Sequence, residues 1–157
     1  MAFEKVLVGM SGGVDSSVAA SELSNNGYEV SGVTLLLCES DNESSVSDAK
    51  AVCNRMGIEH HTVNLKTEFS HYVMDNFIDE YKAGNTPNPC IVCNKHIKFG
   101  AMLDTAVSMG FDKIATGHYA RIRQDNNGRY LLYKALDEAK DQSYVLYNLS
   151  QYQLSHV

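Results

Sequence analysis

Val6-Leu7-Val8 runs directly into Gly9-Met10-Ser11-Gly12-Gly13-Val14-Asp15-Ser16-Ser17, and an apolar-periodic stretch from Val18 to Leu23 follows. A buried strand, a Gly/Ser turn and a helix start, in that order, make an anion-binding device. Paired glycines let the backbone approach a ligand, and the first N–H groups of the helix point at it together with the positive end of the helix dipole. The familiar P-loop places a Lys before its Ser/Thr. Here Asp15 and two serines stand in that region instead. Without that lysine the loop suits released pyrophosphate or α/β-phosphates, with Asp15 helping to hold Mg²⁺. The plainer alternative is a Gly-rich turn capped by Ser and Asp.

The rest of the chain predicts strands alternating with helices. Phe3 to Val8 reads as strand one, Ser16 to Asn25 as helix one with Asn26-Gly27 as its stop, and Tyr28 to Leu37 as strand two. Asp41 to Ser47 is polar and reads as a loop, and Ser47 or Asp48 caps a helix that runs to Met56. Glu59 to Leu65 alternates as strand three, and Phe69, Val73, Phe77 and Tyr81 mark a helix over 67–81. Both prolines lie in Ala83 to Pro89, an extended loop. Ile91 to Met109 is helical, Lys113 to Thr116 a short strand, and Asp125-Asn126-Asn127-Gly128 joins 120–123 and 130–133 as a hairpin. Ala139 to Leu149 reads as the last helix, followed by a tail with exposed-looking apolar residues, no cap, and the look of a chain cut short. The expected fold class is α/β, a doubly wound parallel sheet with helices on both faces, which binds ligands at the carboxyl ends of its strands.

At 157 residues the chain is long enough for one domain with a sizeable core. No apolar run reaches the roughly 20 residues of a membrane span, and the N-terminus does not read as a signal peptide. Cytoplasmic residence, with no membrane partner, is therefore expected. The net charge of −6 argues against a broadly basic nucleic-acid surface. Lys95, Lys98, Arg121, Arg123 and Lys140 are the local cations from which an RNA-facing patch would have to come; a solvated charged surface is the alternative.

Of the four cysteines, Cys38, Cys53, Cys90 and Cys93, the last two stand out. Thr86-Pro87-Asn88-Pro89 delivers them to a helix start beside Lys95, His96 and Lys98, a setting that favours a thiolate. Structural zinc competes with this reading, but it prefers two ligand pairs and the chain shows one CxxC. Cys53 falls within a helix pattern and reads as a core thiol. Further along, Gly117 offers close backbone approach to a ligand after a strand, His118 a hydrogen bond, and Lys140 and Gln142 polar contacts to phosphate.

The Gly-rich loop resembles that of the PP-loop ATP pyrophosphatases. GMSGGVDSSV, TPNPCxxCNxxIKFG, ATGHYAR and KDQSY, in that order, resemble the tRNA-specific 2-thiouridylases across essentially the whole chain. The resemblance implies that Gly9, Met10, Ser11, Gly12, Gly13, Val14, Asp15 and Ser16 bind ATP with Mg²⁺, that Leu35 lines the adenine side, and that Gly117 also touches ATP. It implies that Asn88, Pro89 and Cys90 face the target base, that Cys93 is the catalytic cysteine with Cys90 and Asp15 beside it, and that His118, Lys140, Asp141 and Gln142 touch tRNA. The implied reaction adenylates the C2 oxygen of a wobble uridine and then delivers sulfur from a persulfide. Its partners would be a tRNA with a wobble uridine and a persulfide-donating relay protein or cysteine desulfurase.

Two departures qualify this. Many family members have Asp where Cys90 stands, so an internal disulfide step or two ligands of an iron–sulfur cluster enter as alternatives; a cluster needs further ligands. The family's second catalytic cysteine and its C-terminal tRNA-binding domains have no counterpart up to Val157. Residues 1–157 are thus expected to form one truncated PP-loop ATP-binding catalytic domain that thiolates poorly or not at all by itself. A PP-loop synthetase acting on a small carboxylate, a nucleotide-binding module without turnover and a redox module are the competing readings.

Overall fold

The computed structural model describes residues 3–39 and 43–157. The chain opens with β1 (Lys5–Gly9), α1 (Val14–Asn25), β2 (Glu29–Leu36), α2 (Glu43–Met56) and β3 (Glu59–Asn64). Next comes one helical rod made of α3 (Lys66–Phe69), a π-helical turn (Ser70–Met74) and α4 (Asp75–Lys82). A second rod joins α5 (Pro89–Cys93), a π-helical stretch (Asn94–Ala101) and α6 (Met102–Ser108). Then follow β4 (Lys113–Ala115), a hairpin of β5 (Ala120–Gln124) and β6 (Tyr130–Lys134), and finally α7 (Gln151–Ser155).

Strands β3-β2-β1-β4 form one four-stranded sheet in that order, and every pairing is parallel. The chain leaves β1 toward β2 on one side and reaches β4 on the other. A crevice must therefore open at the carboxyl ends of β1 and β4, where the order reverses. Both faces of the sheet are covered, which is why central β1 reads as a continuous apolar run, Val6-Leu7-Val8. Val6 and Val8 point into a core with Ala20 of α1 and Ala49 and Cys53 of α2. Leu7, one residue out of phase, points to the opposite face, among Phe99, Met102, Leu103 and Ile114. At Gly32 in β2 an added Cβ would lie 2.6 Å from Cys53 Sγ and 3.0 Å from Met10 Cγ, so α2 packs unusually close to the sheet there.

Three sequence expectations change. Helix α2 starts at Glu43, so residues 43–47 are helical where a loop was expected; residues 41 and 42 lie outside the described residues. Ala139 to Leu149 is no helix: it holds only two short 3₁₀ turns, Glu138–Lys140 and Ser143–Val145. Asp141 is the reason. Its Oδ1 accepts from Ala135 N–H at 2.8 Å and its Oδ2 from the Ser143 hydroxyl at 2.7 Å, bonds that compete with a helical ladder.

In the tail Tyr144, Tyr147 and Tyr152 are exposed as expected, but its leucines are not, and the tail is capped. Ser150 and Gln153 form a capping box on α7, and Leu146, Leu149 and Leu154 are buried. Gln153 also donates its amide to the Lys95 and Phe99 carbonyls, both at 2.8 Å, tying α7 to the π-helical stretch. The His156 carbonyl accepts from Ile114 N–H at 2.8 Å, on the side of β4 away from β1.

Candidate functional site

A cavity of about 490 Å³ opens where the topology requires it. Its floor is the loop after β1 with Met10, Ser11, Asp15 and Ser16, its walls are the end of β2 and the segment Thr116-Gly117-His118, and Lys98, Met102 and Gln142 close one side. The loop turns at Gly12, whose φ is +78° and whose hydrogen faces the Asp48 Cβ of α2. Gly13 precedes α1 without any side-chain cap, so the first N–H groups of the helix keep the orphan character that attracts anions. Ser11 and Ser16 brace the loop instead: Ser11 N–H donates to Ser16 Oγ at 3.3 Å, and Gly13 N–H to Ser11 Oγ at 3.3 Å.

Gly117 lies against the start of α1. A Cβ there would come 2.8 Å from Ser16 N and 2.9 Å from the Asp15 carbonyl carbon, both backbone atoms. The next residue but one completes the junction. Tyr119 donates its hydroxyl to Asp15 Oδ1 at 2.7 Å, and that bond, with the carboxylate charge behind it, raises the phenol pKa. Tyr119 was part of a recognised segment, yet nothing in the sequence announced a bond to a residue 104 positions away.

His118 Nδ1 shares a 2.7 Å hydrogen bond with Thr116 Oγ1, and its ring tilts against Phe99. Burial, helped by the Lys98 charge, pushes its pKa down to about 4. The unfolded chain, with histidine near 6.5, then binds more protons than the folded one between these values, so stability falls as pH drops from about 6.5 to about 4. His60 and His96 are depressed as well, mainly by burial, and act with the same sign. His118→Asn is expected to flatten this acid-side loss in urea midpoints measured across the window. Equal slopes for both proteins would refute it.

The remaining residues singled out from the sequence divide. Gly9, Met10, Ser11, Asp15, Ser16, Leu35, Gly117, His118 and Gln142 line the cavity. Gly12 and Gly13 shape its loop, and Val14 begins α1 with its side chain 77% exposed. Asn88, Pro89, Cys90 and Cys93 are not part of its lining. Asn88 is the N-cap of α5, accepting from Cys90 N–H at 3.1 Å, and Pro89 takes the first turn. Cys90 is exposed, while Cys93 is partly buried against the cluster of Leu65, Val73 and Ile97.

The expected thiolate-favouring environment is only half present. Burial raises the Cys93 pKa and the neighbouring Cys90 adds to it, with Lys98 opposing both. Lys140 leaves the cavity and lies over the Tyr119 ring at 5.3 Å, and Asp141 is engaged in its turn.

The cations considered for an RNA patch are likewise divided. Arg121 and Arg123 flank Tyr133 on the hairpin, at 6.0 and 5.7 Å from the ring, whereas Lys98 faces the cavity.

For Mg²⁺ the donor set fits a nucleotide-bridged ion. Asp15 is the single carboxylate lining the cavity among the described residues, and Mg²⁺ commonly takes one or two carboxylates plus phosphate oxygens. An iron–sulfur cluster would need ligands beyond Cys90 and Cys93. Among the described residues no group of three His, Cys, Asp or Glu comes together, so Cys90 and Cys93 find no further ligand. Nor is any helix among them long and apolar enough to cross a membrane.

Parallel order, switch-point crevice and uncapped Gly-rich loop together define an α/β domain of the adenine nucleotide alpha hydrolase type. The profile described as the tRNA methyl transferase HUP domain matches residues 4–157. The chain belongs to that family. It is 52% identical to the tRNA-specific 2-thiouridylase MnmA 1 of Clostridium botulinum strain Langeland, over 96% of this chain and 45% of that protein. With the MnmA protein of Clostridioides difficile it shares 51% identity over 98% of this chain and 45% of the relative. The chain thus spans about half the length of these curated relatives. Among solved structures, a predicted tRNA methyltransferase subunit from Methanocaldococcus jannaschii superposes with a TM-score of 0.53 at 20% identity, covering 94% of this chain and 66% of that one, which speaks to the fold alone.

Proposed function

We propose that this chain is the ATP-binding and base-activating part of a tRNA-uridine 2-sulfurtransferase. The observation that carries the reading is the cavity itself, built from the uncapped start of α1, the Gly117 backbone and Lys98, which belongs to the same helical rod as Cys90 and Cys93. ATP enters as substrate, its phosphates on residues 9–16 and its base toward Leu35. Mg²⁺, held by Asp15 and the phosphates, offsets their charge.

The C2 oxygen of a wobble uridine is a poor leaving group, because the carbonyl is urea-like. Attack of that oxygen on the α-phosphorus releases pyrophosphate and turns the oxygen into part of AMP. The terminal sulfur of a persulfide then attacks C2 and expels AMP, leaving the base joined to the sulfur carrier through an S–S bond. A second thiol, the role we assign to Cys93, attacks the carrier sulfur, breaks that bond, closes a disulfide and releases the thiolated base. Asn88, Pro89 and Cys90 present that base, and His118, Lys140, Asp141 and Gln142 contact the tRNA around it. Sulfur comes from a relay protein or a cysteine desulfurase, in the cytoplasm. The matched relatives are about twice as long, so residues 1–157 alone are expected to bind ATP and to thiolate tRNA weakly.

Calorimetry with Mg²⁺-ATP tests this, comparing the wild type with Asp15→Ala, each with and without unmodified tRNA bearing a wobble uridine. ATP binding that is lost in Asp15→Ala and tightened by tRNA supports the reading. Binding indifferent to tRNA favours a nucleotide-binding domain whose RNA grip lies elsewhere, and no binding at all refutes it.

A further inference from the structure

Among the described residues, Lys98 is the single Lys or Arg lining the cavity. No carboxylate of the described residues pairs with it. A half-buried ammonium without a carboxylate partner is costly unless an anion visits it. The Gly-rich loop lacks the phosphate-binding lysine of a P-loop, and the charged group that loop does bring to the cavity is the carboxylate of Asp15. The lysine missing from the loop is thus supplied from the second helical rod, more than eighty residues further along.

The local helix geometry gives Lys98 a second neighbour. Lys98 follows Cys93 by five residues, and the residues after Cys93 are π-helical. Five is the hydrogen-bonding interval of a π-helix, so its wider turn brings these two positions to one face; an α-helix would turn them apart. At Gly100 the same widening appears as a tight approach to the backbone five residues earlier, where a Cβ would meet the Lys95 carbonyl oxygen at 3.0 Å. The Lys98 charge acts on Cys93 and also on His118 across the cavity. Besides Lys98, Cys90 is the ionisable group acting on Cys93.

We propose that Lys98 is a shared cation, pairing with the phosphate chain of the nucleotide on its cavity side and supporting the Cys93 thiolate on the other. This rests on the nucleotide reading above and adds a positioning residue to it. One charge then links the two halves of the site: phosphate drawn onto Lys98 weakens its support of Cys93, and departing pyrophosphate restores that support.

The test compares wild type, Lys98→Met and Lys98→Arg by calorimetry with Mg²⁺-ATP and with adenosine. It also follows the pH dependence of iodoacetamide labelling at Cys93 by peptide mass spectrometry, in a Cys90→Ser background without nucleotide. Lys98→Met should bind ATP about tenfold more weakly while adenosine stays within roughly twofold, as expected for a lost charge-assisted contact. Its Cys93 labelling midpoint should move to higher pH, and Lys98→Arg should recover most of both properties.

Unchanged ATP affinity in Lys98→Met overturns the proposal, as does an equal loss for adenosine, which would signal a collapsed cavity. An unmoved Cys93 midpoint removes the shared role. If wild type binds adenosine but gains nothing from the phosphates, the shared cation fails while the nucleoside site stands. If it binds neither ligand, the nucleotide reading itself has failed.

Discussion

Gly117→Ala is expected to lower ATP affinity by at least about tenfold, the scale of one lost charge-assisted contact, while the fold survives. The added methyl would lie 2.8 Å from Ser16 N and 2.9 Å from the Asp15 carbonyl carbon. Neither atom can swing aside as a side chain would, because both belong to the first turn of α1. The segment after β4 must back away, taking Tyr119 from Asp15 and opening the crevice at its base. Overpacking of this kind costs about 1–3 kcal/mol. In a chain of this size that corresponds to a melting temperature lower by roughly 2–12 °C. Calorimetry and a thermal melt check both parts, and ATP binding equal to wild type would mean the α1 junction tolerates displacement.

Phe99→Ala should be the most destabilising core substitution, at about 3–5 kcal/mol. Phe99 is 2% exposed, among Leu7, Met102, Leu103 and Ile114. A domain's whole stability is about 5–15 kcal/mol, so the variant should unfold at a much lower urea concentration. The removed ring also shelters His118, at a centroid distance of 5.8 Å. Water entering the space should let the His118 pKa rise from about 4 toward its ordinary value. NMR titration of the imidazole would show it, and an unmoved pKa would assign the depression to Lys98 and other surroundings.

How much of this was legible in the sequence depended on whether a local signal carried the feature. The strand–loop–helix at 5–25 was, because Gly/Ser turn chemistry and apolar runs are local. The hairpin at 120–134 was, because Asn-Gly turn chemistry is local too. The start of α2 was not: Ser44, Ser45 and Ser47 on their own favour caps and turns, and the helix is held by Ala49 and Cys53 against the sheet. The stretch 139–149 has helix-forming residues, but Asp141 and Gln142 spend their side chains on the distant backbone of Ala135 and Tyr119. The cap of α7 was written in the sequence, since Ser150 with Gln153 three positions on is a capping-box pattern. The π-helical register was not, and with it went the turning of Lys98 into the cavity, since no local signal encodes an i, i+5 face. Roles for Cys90, Cys93 and the tRNA-facing residues came from family resemblance and stand as proposals.

The bond from Ile114 N–H to the His156 carbonyl has a consequence for how this sheet meets other molecules. A three-residue parallel strand at a border is an invitation to a foreign strand, and here its outward donor is already taken. A foreign strand arriving on the β4 flank would first have to displace the His156 carbonyl from Ile114. The backbone around His156 thus serves as a selvedge, keeping that flank from fraying into intermolecular pairing.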